Sequence, residues 1–189
     1  MNKLLKGILL AAAIIILIIA GTLLLTREKQ PQYSYIPGKF TAQDLGFFDK
    51  KTGNMISLGM KQHEVEQVLG TGEEKKESIE YAGKLEVYYV DDKAAGIRLW
   101  TDEPQSRYVT TRNIGKGYSF DEVKSVYGDP STQAEDHVGY IFEDHGEETY
   151  FLHPDIKTMT DESKQRAYFM EFKSIDSKSD IVIMKLDAF

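Results

Sequence analysis

The chain contains no cysteine. That absence removes disulfides, thiolate metal sites, a cysteine nucleophile and lipid attachment through an N-terminal cysteine together, so stability must come from ordinary packing. Positive charge is also short. The formal net charge is −7, and without Lys3 and Lys6 the chain from Arg27 onward carries 21 basic against 30 acidic residues, a net of −9. The basic stripe that nucleic-acid binding requires is missing, and contact with anionic headgroups is disfavoured on net charge. Catalytic signatures are lacking as well. There is no G-x-S-x-G elbow, and "GKG" (115–117) has no following P-loop Lys-Ser/Thr. The carboxylate pairs Asp91-Asp92 and Glu73-Glu74 lie in polar turns rather than in the apolar pocket a general acid needs. These absences argue against an enzyme and imply no cofactor.

The four histidines do not form a metal motif. His137, His145 and His153 lie among acidic residues, and "DHGEE" brings His145 near Glu147, but the H-E-x-x-H spacing is absent. An acidic turn of this kind is read as a solvated one, and His63 as an exposed helix residue. No metal site is expected.

What the chain does have is a long uncharged run, Gly7 to Thr26, rich in Ile, Leu and Ala. As a helix it would reach about 30 Å, enough to span a bilayer's hydrocarbon core. A signal peptide has a shorter apolar core ending in a small-x-small site, and "IIAGTLLLTREK" offers none. The run is read as an uncleaved membrane anchor (1–26), followed by a polar stalk (27–40) with two prolines and no period. The remainder is expected outside the cytoplasm of a single-pass cell-membrane protein.

The folded part repeats itself. Shifted by 58 residues, Gly59 falls on Gly117, Glu64 on Glu122, Val65 on Val123, Val68 on Val126 and Gly70 on Gly128. Val65, Val68 and Leu69, like Phe120, Val123, Val126 and Tyr127, form one apolar stripe at helical spacing. A Gly follows each stripe, where a helix ends. Ser119 to Glu122 is a capping-box pattern, and Pro130 follows the second stop. Strand-like runs come after each helix: 78–81, 85–90 and 96–100 after the first, with a fourth near 107–111, and 138–143, 149–152, 166–173 and 181–186 after the second. The fold class expected is therefore α+β: an N-terminal transmembrane helix, then two tandem units (41–105 and 106–189) of a short helix packed on an antiparallel sheet.

"GMKQHEVEQVLG" resembles the signature of the SmpA/OmlA family of small envelope proteins, which includes the BamE outer-membrane assembly lipoproteins. Gly59, Met60, Val65, Leu69 and Gly70 carry that match. "TTRNIGKGYSFDEVKSVYGDP" is similar to the repeat of the β-lactamase-inhibitory-protein-like group, through Gly117, Ser119, Val123, Tyr127, Gly128 and Pro130. The resemblance implies helices packed on a small antiparallel sheet, sometimes in tandem. It also implies envelope assembly or inhibition of an exported hydrolase as possible roles. The chain departs from the first family in lacking the lipoprotein cysteine and in having Thr71-Gly72 at the stop.

Strand parity is the remaining signal. Val138, Tyr140, Phe142, Tyr150, Leu152, Tyr168, Met170, Phe172, Val182, Met184 and Leu186 form a core-facing set. The opposite face carries Ile141, Phe151, Phe169, Ile181 and Ile183, with Tyr88, Arg98 and Trp100 in the first unit. A sheet apolar on both sides has something on its second side. Either the two units or the 153–165 excursion cover it, or it is a partner-binding surface centred on Tyr88, Trp100, Ile141, Phe151, Phe169 and Ile183. The function expected is a membrane-anchored binding module for a protein or cell-envelope component. A structural factor of an envelope complex is the alternative.

Overall fold

The computed structural model describes residues 28–101, 106–175 and 178–188. In chain order it contains β1 (Gly46–Asp49), β2 (Met55–Ser57), α1 (Gln62–Leu69), β3 (Glu73–Glu74), β4 (Ile79–Tyr81), β5 (Leu85–Val90), β6 (Lys93–Thr101) and β7 (Tyr108–Thr110). There follow α2 (Phe120–Tyr127), β8 (Thr132–Gln133), β9 (His137–Glu143), β10 (Phe151–His153), α3 (Asp161–Gln165), β11 (Ala167–Ile175) and β12 (Lys178–Lys185).

This corrects the α+β expectation. The described chain is mostly β-sheet with three short helices, and none of them is long and apolar enough to cross a membrane. The apolar run 7–26 lies outside the described residues. Nor does each unit keep its own sheet. β12 pairs antiparallel with β6, from Ser179↔Thr101 to Met184↔Gly96. That seam joins both meanders into one nine-stranded sheet, ordered β10-β9-β11-β12-β6-β5-β4-β3, with β8 beside β9. Each meander would otherwise end in a long edge strand with unpaired backbone groups, and the seam removes both edges. β7, expected to extend the first meander, instead pairs with β1 in a three-stranded sheet, β2-β1-β7.

The repeated phrase forms the two helices that rest on the inner face. Val65 of α1, Val123 and Tyr127 of α2, and Phe47, Ile56 and Tyr108 of the small sheet join a single core with the large sheet's inner row. The second helix has the better start. Ser119 Oγ accepts from the Glu122 N–H at 3.2 Å, and Glu122 Oε2 accepts from the Ser119 N–H at 2.7 Å. At α1 only the return bond forms, from the Lys61 N–H to Glu64 Oε2 at 2.7 Å, because a lysine side chain has no acceptor. Gly70 and Gly128 end the helices at φ of 84° and 87°, where a Cβ would be strained.

The inward row is Leu85 and Val87, Ile97 and Leu99, Ile181 and Ile183, Met170 and Phe172, Val138 and Tyr140. In β12 the expected parity is reversed: Ile181 and Ile183 are fully buried, and Val182 and Met184 face outward, half-buried. The run Ile181–Met184 is apolar in both parities, so alternation could not choose. Register does: Ile183 lies opposite Ile97 and Met170, and Ile181 opposite Leu99 and Phe172. Ile183→Ala should therefore cost about 2–5 kcal/mol and Val182→Ala less than about 1.5 kcal/mol in urea unfolding. Equal costs would contradict this register.

Residues 28–40, read from sequence as a free stalk, lie along the body. The Lys29 N–H donates to the Lys50 carbonyl at 2.8 Å and the Gly38 N–H to the Tyr127 carbonyl at 2.8 Å. Phe40 is fully buried. Two arginine–aspartate forks hold this region. Arg112 Nε and Nη2 reach Asp44 at 2.7 and 2.8 Å. Arg107 Nε and Nη2 reach Asp49 at 3.0 and 2.6 Å.

Burial pushes the Asp49 carboxyl up, but hydrogen bonds from Arg107, the Lys51 N–H and Thr52 outweigh it and hold the group below its ordinary value. Glu143 behaves likewise: desolvation raises it, and Arg166 foremost brings it below the usual range. A depressed carboxylate stabilises the fold above its unfolded pKa of about 4, and that contribution is lost as pH falls through the lower folded value. The urea midpoint should stay level from about pH 7 to 5 and drop below about 4. In Asp49→Asn the drop should be shallower, and an unchanged drop would remove Asp49 from the cause.

Candidate binding face of the sheet

The outer face is built in rows across the strands, because residues paired in register share a face. One row runs Trp100, Asp180, Lys173, His137. The next runs Glu86, Arg98, Val182, Glu171, Gly139, and the third Tyr88, Gly96, Met184, Phe169, Ile141. Five of the six residues proposed from sequence, Tyr88, Trp100, Ile141, Phe151 and Phe169, do fall on this face. Ile183 does not, since its side chain is in the core.

The face divides in two. On the β9–β11 side the 153–165 excursion folds back over it. Met159 is 7% exposed and packs with Ile141 and Ala167, with Phe169 and Leu186 against them. Arg166, just after α3, fastens the excursion by donating to Glu143 at 2.9 Å. Covering by the excursion thus holds for this half, whereas the two units meet edge to edge rather than face to face. Phe151 sits at the far edge, 51% exposed, with the His145 ring edge-on at 5.0 Å. Four strand spacings, about 19 Å, separate it from Trp100, so the two do not share a patch.

The excursion does not reach the half around β5, β6 and β12. There Arg98 makes a two-bond fork to Asp180, Nε and Nη2 each 2.9 Å from a carboxylate oxygen. The same guanidinium lies 4.7 Å from the centroid of the Trp100 ring. Tyr88 donates to Glu86 at 3.0 Å, and burial together with that carboxylate holds its phenol above the usual range. Lys173 pairs with Glu171 at 2.7 Å. A shallow cavity of about 300 Å³ lies between Tyr88, Arg98, Glu171, Lys173, Val182 and Met184. The charged groups here are satisfied within the chain and hold the aromatic rings in place, which lowers the ordering cost of binding something against them.

No protein-family model, curated protein or solved structure matches this chain. The motif resemblance rests on the residues 59–70 and 117–130 alone. In the structure those residues terminate and pack the helices, and none of them lines the outer face.

Sequence reasoning placed Arg98 with Trp100 through their two-residue spacing but missed Asp180, which is 82 residues away. It also missed Val182 and Met184 through the parity error. The histidines are scattered. His145 Nε2 lies 3.3 Å from Glu143 and His137 Nδ1 3.0 Å from Asp136, while His63 is exposed. Among the described residues no group of three or more His, Asp or Glu side chains could hold a metal ion.

Proposed function

We propose that the chain is a binding module, attached to a membrane through residues 7–26 and facing outside the cytoplasm. Its protein partner docks on the β5–β6–β12 half of the outer face. The observation that carries this reading is the pre-organised trio of Trp100, Arg98 and Tyr88, with Arg98 locked by Asp180. Trp, Arg and Tyr are the side chains that most often dominate interfaces. Here Tyr88 and Arg98 line a shallow cavity with half-buried Val182 and Met184, and Trp100 lies against the Arg98 guanidinium beside it. The membrane placement rests on the sequence of 7–26.

Photo-crosslinking from position 182 in cells, followed by capture of the adduct, tests the reading. A single recurrent adduct from 182 that is absent from position 63 on exposed α1 is the expected result. Adducts from 63 but none from 182 would move the interface to the helices. An exported hydrolase is the partner class the second resemblance implies, and inhibition of the captured protein would show it.

A further inference from the structure

The excursion between β10 and β11, residues 154–165, is ordered mainly by itself. Thr158 and Met159 donate their backbone N–H groups to the Asp155 and Ile156 carbonyls, each at 3.2 Å, and Lys164 donates to Thr160 at 3.0 Å. Among the described residues no backbone hydrogen bond ties 154–165 to the sheet. Its two ends are fixed. The His153 carbonyl accepts from Ser131 Oγ at 2.6 Å, and the Arg166 carbonyl accepts from the Asp144 N–H at 3.0 Å. Between those ends the segment meets the body at two points. Met159 is its one buried side chain, seated on Ile141, Ala167, Phe169 and Leu186. At buried Glu143, Ser163 bonds the carboxylate directly, and Glu162 pairs with Arg166, which itself reaches Glu143. Nine of the twelve residues are exposed. Ordering such a segment costs conformational entropy that one buried side chain and one carboxylate cluster offset only narrowly.

The segment also underfills its seat. A cavity of about 580 Å³ lies between Asp155 and Ile156 on one side and Ile141, Phe169 and Glu171 of the sheet on the other, and Ile156 stays 39% exposed rather than closing it. A permanent cover would be packed to the density of the core. Glu171 walls this cavity and the one beside Tyr88 and Arg98, so the two spaces adjoin. The covered pair Ile141 and Phe169 continues in register through Met184 and Gly96 to Tyr88, one stripe across the face. We propose that 154–165 is a strap that occupies the far half of the binding face until the protein partner displaces it, Met159 holding the seat that an apolar side chain of the partner takes. The strap is an internal competitor, and the apparent affinity scales with the fraction of molecules in which it is lifted. This inference rests on docking at the β5–β6–β12 half.

The chain has no cysteine, so one thiol placed by Ala167→Cys, beneath Met159, or by Val87→Cys, in the core, reports opening through its reaction with dithionitrobenzoate. In the full-length protein the thiol at 167 should react without urea, at a rate nearly level below the unfolding transition. The thiol at 87 should react at a rate that climbs steeply with urea, because its exposure needs global unfolding. Met159→Ala should speed reaction at 167 at least about tenfold and raise the yield of the partner adduct from position 182 in cells at least about threefold. Ser163→Ala, which removes the strap's own bond to Glu143 without leaving a cavity, should act in the same direction. A purely structural strap would leave the adduct yield unchanged or lower it. Parallel urea dependence at 167 and 87, or an adduct yield from 182 that rises in neither variant, would overturn this inference and leave docking at the β5–β6–β12 half standing. No adduct from 182 in wild type or either variant would overturn the docking reading and this inference together.

Discussion

Arg112→Met should lower the stability of the domain by about 3–5 kcal/mol, the range for removing one partner of a buried ion pair. Arg112 is 4% exposed and Asp44 3%. All five guanidinium donors are used: two on Asp44, and the others on the carbonyls of Lys39, Val126 and Ile36. The group also lies 4.6 Å from the Tyr127 ring centroid and 5.2 Å from that of Phe40. Methionine would fill much of the volume, but the Asp44 carboxylate would stay buried without its counter-ion, and the Lys39 and Val126 carbonyls would lose the donors Arg112 gives them. For a domain of this size the melting temperature should fall by roughly 6–20 °C.

Adding Asp44→Asn should recover part of the loss, because a neutral amide needs no counter-ion and its oxygen can still accept from the Thr41 N–H, a bond of 2.9 Å in the native chain. The Ile36 carbonyl keeps the Lys39 N–H at 3.0 Å, but the Lys39 and Val126 carbonyls lose the donors Arg112 gave them, so recovery should be incomplete. Since Arg112 bridges residues 36–39 to the last turn of α2, hydrogen exchange at the Gly38 amide should quicken in the single variant before global unfolding. A loss under about 1 kcal/mol with unchanged exchange at Gly38 would show that this cluster does not hold the entering segment.

The second large effect is on binding. Trp100→Ala should weaken the proposed partner by at least about 30-fold, equivalent to the 2 kcal/mol that marks an interface hot spot. Trp100 is half-buried on the outer face, so its removal costs the fold less than loss of a core ring would. Arg98→Lys separates position from charge. Lysine keeps the cation but cannot form the two-bond fork to Asp180 or stack flat on the indole. It should weaken binding while leaving the unfolding midpoint within a few degrees. Isothermal titration of wild type and both variants reads these effects. If Trp100→Ala binds as wild type while variants at exposed α1 positions do not, the face has been wrongly chosen.

How much was legible follows from the range of each interaction. The helices were legible because their information is local: a stripe at helical spacing, the Ser119–Glu122 box, and Gly70 and Gly128 at the stops. The central strands other than β12 were legible from alternation, and so was the shared face of Arg98 and Trp100, two residues apart. β1 and β2 were not recognised: they are four and three residues long, and "GFFD" is buried at every position and shows no alternation. Asp180 could not be assigned to Arg98, nor Asp44 to Arg112, because the residues that satisfy a charge lie 82 and 68 positions away.

By itself, then, the sequence determined two helix-and-meander phrases, the residues that start and stop them, and the exclusion of cysteine chemistry. Tertiary structure alone decided that the two meanders share one sheet, since backbone edges pair with whatever strand of matching length and inward row is available. It decided which side of β12 is buried, because a run apolar in both parities takes its facing from Ile97 and Met170 across the register. It also decided which charges meet: Arg98 pairs with Asp180 only because β12 lies beside β6.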